Sequence, residues 1–206
     1  MKKCLFVLAA VACCACSKGV AESSVMMDEV VELRFSVPVA ATKAFGNVTE
    51  DAVESLQVFV FGEDGQIQAS GQAFENSLTL TCTAGEKTIS AVVNASELEG
   101  VTTLNGLKQR LSDFRDNSLE KFVMSGVITQ ELLASGEIII PVKRLVSKVT
   151  ISSVVRAFRL EQHKAMDFEL MSVFVTGVPQ QVGFFSTAQS AELINEGVTD
   201  MNTLIS

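Results

Sequence analysis

The sequence predicts a mainly β protein, an antiparallel sandwich with one short connecting helix. Three observations carry this. Val31, Leu33, Phe35, Val37 and Val39 alternate with Glu32, Arg34, Ser36 and Pro38, the period of two that buries one face of a strand. Short apolar runs then recur along the chain with turn signals between them, Asp64-Gly65 being the strongest, as expected of a sandwich. Finally, 48% of the 206 residues are hydrophobic, including 13 Phe, enough to fill a core in one sizeable domain or two small ones.

The amino terminus comes first. Lys2 and Lys3 precede an apolar stretch from Cys4 to Ala12, and Ala12-Cys13-Cys14-Ala15-Cys16 closes it with small residues. This stretch is shorter than the roughly 20 residues that span a bilayer. Residues 1–16 therefore read as a cleavable signal peptide. A cysteine directly after small residues resembles a bacterial lipobox. Cys16, between Ala15 and Ser17-Lys18-Gly19, is the preferred lipidated residue, and Cys13, after Ala10-Val11-Ala12, is the alternative. Neither has the usual Leu three positions earlier. Buried acyl methylenes each contribute about 0.8 kcal/mol, so a chain with more than one acyl group would stay attached. Gly19 to Asp28 would form the tether.

The strand at 31–39 follows, with Pro38 marking an edge position or a strand end. A polar stretch runs from Ala40 to Asp51. Ser55 to Phe61 is apolar on nearly both faces and reads as a central strand. Gly62-Glu63-Asp64-Gly65 turns the chain into a shorter strand at Gln66–Ser70. Leu78, Leu80 and Cys82 alternate with threonines, Ala84-Gly85-Glu86-Lys87 turns, and Ile89, Ala91 and Val93 alternate up to Asn94. Leu104, Leu107, Leu111 and Phe114 recur at helical spacing behind the candidate cap Thr103, predicting a connecting helix of about three turns. Strands are expected at Phe122–Gly126 and Glu137–Val142, with a helical turn at Thr129–Leu133. Arg144–Phe158 and Phe168–Val178 are long strand candidates. The tail from Gln189 is weakly patterned.

The residues offer little chemistry. Of five cysteines, four lie within the first 16 residues, so no disulfide framework staples the body. The remaining Cys82 reads as a small buried hydrophobe. The single histidine, His163, reads as an exposed loop residue. It has no companions for zinc and no Gly-x-Ser-x-Gly elbow before it. Asp64 belongs to a turn and lacks the spaced acidic ligands of a calcium loop. Asn94-Ala95-Ser96 matches a glycosylation sequon, which a bacterial signal makes irrelevant. No phosphate-cradling glycine loop is present. No catalytic residue, metal site or cofactor is expected, and the chain does not read as an enzyme. The net charge of −8 becomes −10 once Lys2 and Lys3 leave, which excludes nucleic-acid binding by phosphate neutralisation. Trp and Tyr are absent, which weighs against the rival reading of a monomeric surface lipoprotein binding a polymer or glycan.

Several motifs in order resemble one family. After the lipobox cysteine and the alternating strand come Ala41-Thr42-Lys43-Ala44 and then Val53-Glu54-Ser55-Leu56-Gln57-Val58-Phe59-Val60-Phe61-Gly62-Glu63-Asp64-Gly65. Thr83 to Ala95 and Arg144-Leu145-Val146-Ser147-Lys148-Val149 continue the series. Together they resemble the fimbrillin and fimbrial-anchor lipoproteins of Bacteroidetes over about residues 1–180. The resemblance implies a transthyretin-like Greek-key sandwich at 17–143 and a partial second β domain at 144–206. It implies an outer-membrane, lipid-anchored subunit of a cell-surface fimbrium whose partners are other fimbrial subunits.

In that family a trypsin-like protease removes the first strand of stalk subunits, and a neighbour's strand fills the groove by strand addition. Here Val31, Leu33, Phe35, Val37 and Val39 would be the side chains withdrawn, and Lys43 the cleavage position. Many polymerising members carry Arg at that place, so an Arg-specific protease would leave Lys43 uncut, as suits an anchor. Family members usually continue well beyond residue 206. The expectation is that a strand-donating segment is missing or that this is a shortened, non-assembling relative.

Overall fold

A computed structural model describes residues 29–38, 52–118, 120–167 and 169–197. Its architecture is a sandwich of two unequal sheets. Strands β1 (Val30–Ser36), β2 (Leu56–Phe61), β3 (Ile67–Ala73), β4 (Ser77–Thr83) and β5 (Gly85–Val93) come first. Helix α1 (Leu104–Lys108), β6 (Leu111–Asp113), a single 3-10 turn at Phe114–Asp116, β7 (Met124–Leu132), β8 (Gly136–Ile139) and β9 (Lys143–Arg144) follow. The chain continues through a short helix, α2 (Glu161–Lys164), to β10 (Gln181–Gly183). One sheet has the order β3-β2-β5-β7-β9, the other β4-β1-β8, and β10 pairs with β6.

The core between the two sheets is made by period-two patterning. β1 contributes Val31, Leu33, Phe35 and, just past its end, Val37; β5 contributes Ile89, Ala91 and Val93. β2 is buried along its whole length because both its faces are covered. Val58 and Val60 face the central core, whereas Phe59 and Phe61 join a second cluster with Val92, Leu107 and Phe184. A strand covered on both faces loses the alternation that a half-exposed strand shows. Gln57, on the second face, is also buried, and its amide is satisfied by the carbonyls of Ala95 and Ser96 and by the Leu98 N–H.

Local chemistry fixes the turns. Asp64 accepts a hydrogen bond from the Gln66 N–H at 2.9 Å, and Gly65 takes φ +73°, a conformation glycine adopts without a Cβ penalty. Asn94 ends β5 at φ 60°. Its side chain is consumed: Oδ1 accepts from Glu54 and Ser55 N–H, and Nδ2 donates to the Ala52 and Phe122 carbonyls. The sequon match therefore falls on a buried amide with no free group.

Several expectations are corrected. The helix predicted over Leu104–Phe114 stops at Lys108. Thr103 caps it as expected, with Oγ1 accepting from the Gly106 N–H. Leu111–Asp113 instead pairs with Gln181–Gly183, and Asp113 opens a new turn with a capping box. Thr129–Leu133 is not a helical turn. β7 runs on to Leu132 because its whole length pairs with β5, and ladder pairing overrides the local preference. Arg144–Phe158 and Phe168–Val178 form no strand beyond β9 among the described residues. Alternation marks which face of a segment is apolar, and a ladder needs a neighbouring strand in register as well. His163 lies in α2 rather than a loop; it is half-buried, its ring 6.0 Å from Phe158 and edge-on to it. One strand pair, β1 with β8, is parallel within an otherwise antiparallel sandwich.

Candidate functional site

β1 is the centre of the smaller sheet. It pairs antiparallel with β4 over seven residues, from Val30 opposite Thr83 to Ser36 opposite Ser77. On its other side it pairs parallel with β8, from Leu33 opposite Gly136 to Ser36 opposite Ile139. Beyond the ladders, the Ala84 N–H donates to the Glu29 carbonyl at 2.7 Å, the Val37 N–H to the Asn76 carbonyl at 3.0 Å and the Ile140 N–H to the Ser36 carbonyl at 2.8 Å. The strand therefore lies in a groove with hydrogen-bonding walls on both sides.

The groove floor is apolar. Val31, Leu33, Phe35 and Val37 are 0–2% exposed. They pack in the cluster that includes Cys82, Ile138 and Ile140 from the flanking elements and Val58, Ile89 and Met124 from the facing sheet. Burying four such side chains contributes on the order of 6–12 kcal/mol at 1.5–3 kcal/mol each. The outward side chains are polar. Arg34 donates to Ser77 Oγ at 3.0 Å, Ser36 donates to Glu137 Oε1 at 3.1 Å, and Ser135 Oγ accepts from the Glu32 N–H.

One end of the groove carries two unusual core residues. Cys82 lies opposite Val31 and is buried. Burial pushes its thiol pKa up, and the nearby Lys87 ammonium partly offsets this. Lys87 stands on the inward face of β5 in series with Ile89, is 5% exposed, and donates from Nζ to the Ala84 carbonyl at 3.0 Å. Lys87, expected in a turn with Ala84-Gly85-Glu86, belongs instead to β5. Its place in the i, i+2 series Lys87, Ile89, Ala91, Val93 marks the inward position.

The predicted set Val31, Leu33, Phe35 and Val37 is thus brought together on one buried face. Val39, Lys43, Cys13 and Cys16 lie outside the described residues. No group of three or more metal-ligating side chains occurs among the described residues, and no described helix is long and apolar enough to cross a membrane. An open cleft of about 860 Å³ lies between β7 and residues 182–189. Arg144 lines it and stacks on the Phe122 ring, 4.6 Å from guanidinium carbon to centroid.

The described residues thus form a two-sheet sandwich whose first strand fills a continuous apolar groove. Residues 31–157 match the family described as the major fimbrial subunit protein, FimA, and the chain belongs to that family, one of structural subunits rather than enzymes. Among solved structures, the chain is similar to a fimbrial assembly protein from Parabacteroides distasonis, with 14% identity and TM-score 0.53, covering 76% of this chain and 66% of that one. That likeness concerns the fold. A fimbrilin from Porphyromonas gingivalis aligns with 15% identity and TM-score 0.47, covering 56% and 40%. The tip fimbrial protein Mfa3 from the same organism, with a C-terminal truncation, aligns with 16% identity and TM-score 0.45, covering 57% and 49%. The chain thus spans between two fifths and two thirds of the length of these three proteins. No curated protein matches it.

Proposed function

We propose that this chain is a structural or anchor subunit of a fimbrium: an outer-membrane lipoprotein, held through Cys16 or Cys13, that assembles with other fimbrial subunits by β-strand addition. The observation that carries the reading is the placement of β1. It is hydrogen-bonded on both sides and sends Val31, Leu33, Phe35 and Val37 into the core. The stabilisation it supplies, on the order of 6–12 kcal/mol, is comparable to the whole stability of a typical domain. A subunit that gives up this strand must receive another in its place. Main-chain hydrogen bonds to β4 and β8 would then supply affinity, and the four pockets would supply register.

On this reading Lys43, in the segment between β1 and β2, is the cleavage position for a stalk subunit. A subunit that keeps both β1 and its lipid serves as the anchor. The sandwich corresponds to residues 17–143, with a further unit at 144–206.

The test is to purify the full chain and treat it with trypsin. Cleavage at Lys43 followed by laddered oligomers supports polymerisation. Cleavage that leaves only unfolded monomer sinks the stalk role, while intact membrane-bound chain that caps pre-formed fimbriae identifies an anchor. Fatty-acid incorporation lost in Cys16→Ser but kept in Cys13→Ser assigns the lipid to Cys16. Incorporation unaffected in the double variant rules out the lipoprotein.

A further inference from the structure

The chain carries six arginines, Arg34, Arg110, Arg115, Arg144, Arg156 and Arg159, and the fold treats them unequally. Arg34 lies in β1, laddered on both sides. Arg110 donates to the Glu99 carbonyl, and its own carbonyl accepts from the Phe184 N–H. Arg115 sits inside the 3-10 turn that Asp113 caps. Arg144 belongs to β9 and stacks on Phe122. Arg156 donates to the Lys164 and Met166 carbonyls. Arg159 is exposed, and its guanidinium has no partner among the described residues.

The chain around Arg159 is accessible too. Residues 147–158 form neither helix nor ladder, and every residue from 147 to 160 is exposed. Helix α2 begins two positions later, at Glu161, is one turn long, and receives no side-chain cap from Leu160. A helix that short has little stability of its own. Phe158 is engaged: its ring meets His163 edge-on and lies 5.8 Å from the Arg156 guanidinium carbon. Opening this segment gives up those two contacts. Apolar side chains flank the Arg159–Leu160 bond, Ala157 and Phe158 before it and Leu160 after it. The next carboxylate along the chain, Glu161, is paired with Lys164.

We propose that the Arg159–Leu160 peptide bond is a proteolytic processing site, taken by an endoprotease whose acidic pocket reads the guanidinium. Exposed backbone outside helices and ladders is nicked in preference to backbone held in strands and turns. Water is the co-reactant. The amide C–N bond breaks, the water oxygen joins the Arg159 carbonyl carbon to give a carboxylate, and Leu160 leaves with a free amino group. The product stays together. On the far side of the cut, Gln181–Gly183 pairs with β6, and Phe184 and Ile194 are buried. The Phe184 carbonyl accepts from Ser125 Oγ, and its N–H donates to the Arg110 carbonyl. Processing therefore yields a two-chain molecule, the sandwich and a carboxy-terminal piece held without a covalent link. The site is separate from Lys43 and requires no displacement of β1.

The experiment treats the purified full chain, without denaturant, with an endoprotease specific for arginine. Such an enzyme spares Lys43, so strand exchange at β1 stays out of the readout. Mass spectrometry and amino-terminal sequencing follow the time course. The first new amino terminus should be Leu160, formed at least about tenfold faster than any cut at the other arginines, because cleavage tracks the population of open backbone. The two fragments should co-elute in size exclusion and separate in urea. Arg159→Gln should abolish the cut, while Arg156→Gln, which frees only the Lys164 and Met166 carbonyls, should not slow it. A first cut at any other arginine overturns the proposal, as does a native chain that resists under conditions that cleave the urea-unfolded chain. Fragments that separate without urea overturn the two-chain product.

Discussion

Val31 and Cys82 face each other across the β1–β4 ladder, and both are buried. The only cysteine in the described residues is therefore a built-in reporter on whether β1 occupies its groove. With β1 in place, Cys82 should resist a thiol reagent such as Ellman's under native conditions. Displacing β1 should raise its labelling rate by at least about tenfold. Equal labelling rates before and after displacement would show that β1 does not shield it.

The same thiol makes stability pH-dependent. Burial raises its pKa in the fold, so the unfolded chain loses this proton first as pH rises. The unfolded state then binds fewer protons, and stability falls with increasing pH through the ordinary thiol range, by at most about 1.4 kcal/mol per unit. Urea midpoints between pH 7 and 10 should show this slope in the native chain. Cys82→Ala should remove that component of it.

Phe35 has no exposed surface and sits at the middle of the groove. Phe35→Ala should cost about 3–5 kcal/mol in chemical denaturation. Arg34→Ala, on the outward face, removes only an exposed hydrogen bond to Ser77 and should cost below about 1 kcal/mol. Comparable losses would contradict the inward and outward assignment of β1.

Asn94 combines a left-handed backbone with four side-chain hydrogen bonds. Asn94→Ala should lose about 2–3 kcal/mol, because the buried Phe122 carbonyl and part-buried backbone groups at Ala52, Glu54 and Ser55 lose partners. Asn94→Gly relieves the backbone but not the lost bonds and should be less harmful than Ala by up to about 1 kcal/mol. Thermal unfolding of the pair separates the two contributions.

Gly126→Ala has no room at the Pro141 carbonyl. The β8–β9 connection must move, at about 1–3 kcal/mol. Amide exchange at Leu145, whose N–H donates to the Val123 carbonyl beside this crossing, should accelerate. Unchanged exchange there would mean that the connection yields without disturbing the β7 edge.

Much of the sandwich is legible in the sequence where one strand face is wet. β1 shows its core positions at every second residue, and the inward set from Val31 to Val37 follows directly, whereas β5 is buried at every residue from Ile89 to Val93 because both its faces are covered there. Partners are less visible. The parallel pairing of Leu33–Ser36 with Gly136–Ile139 leaves no periodic mark, because alternation states which face is buried and not which strand lies alongside. β6 was hidden for the same reason. Leu107 and Leu111 keep helical spacing, yet Leu111 pairs with Gly183, about seventy positions away. At 145–158 the pattern is present and the ladder is absent. The proposed lipidation positions Cys16 and Cys13 and the proposed cleavage position Lys43 lie outside the described residues.

The two-sided seating of β1 has a mechanical consequence. A pull delivered at Glu29 along the strand axis loads the β4 and β8 ladders together in shear, so their hydrogen bonds resist as a group rather than opening one by one. The same force applied across the axis would unzip them in sequence. The direction of tension, more than the number of bonds, sets how long such a joint survives in a flowing environment.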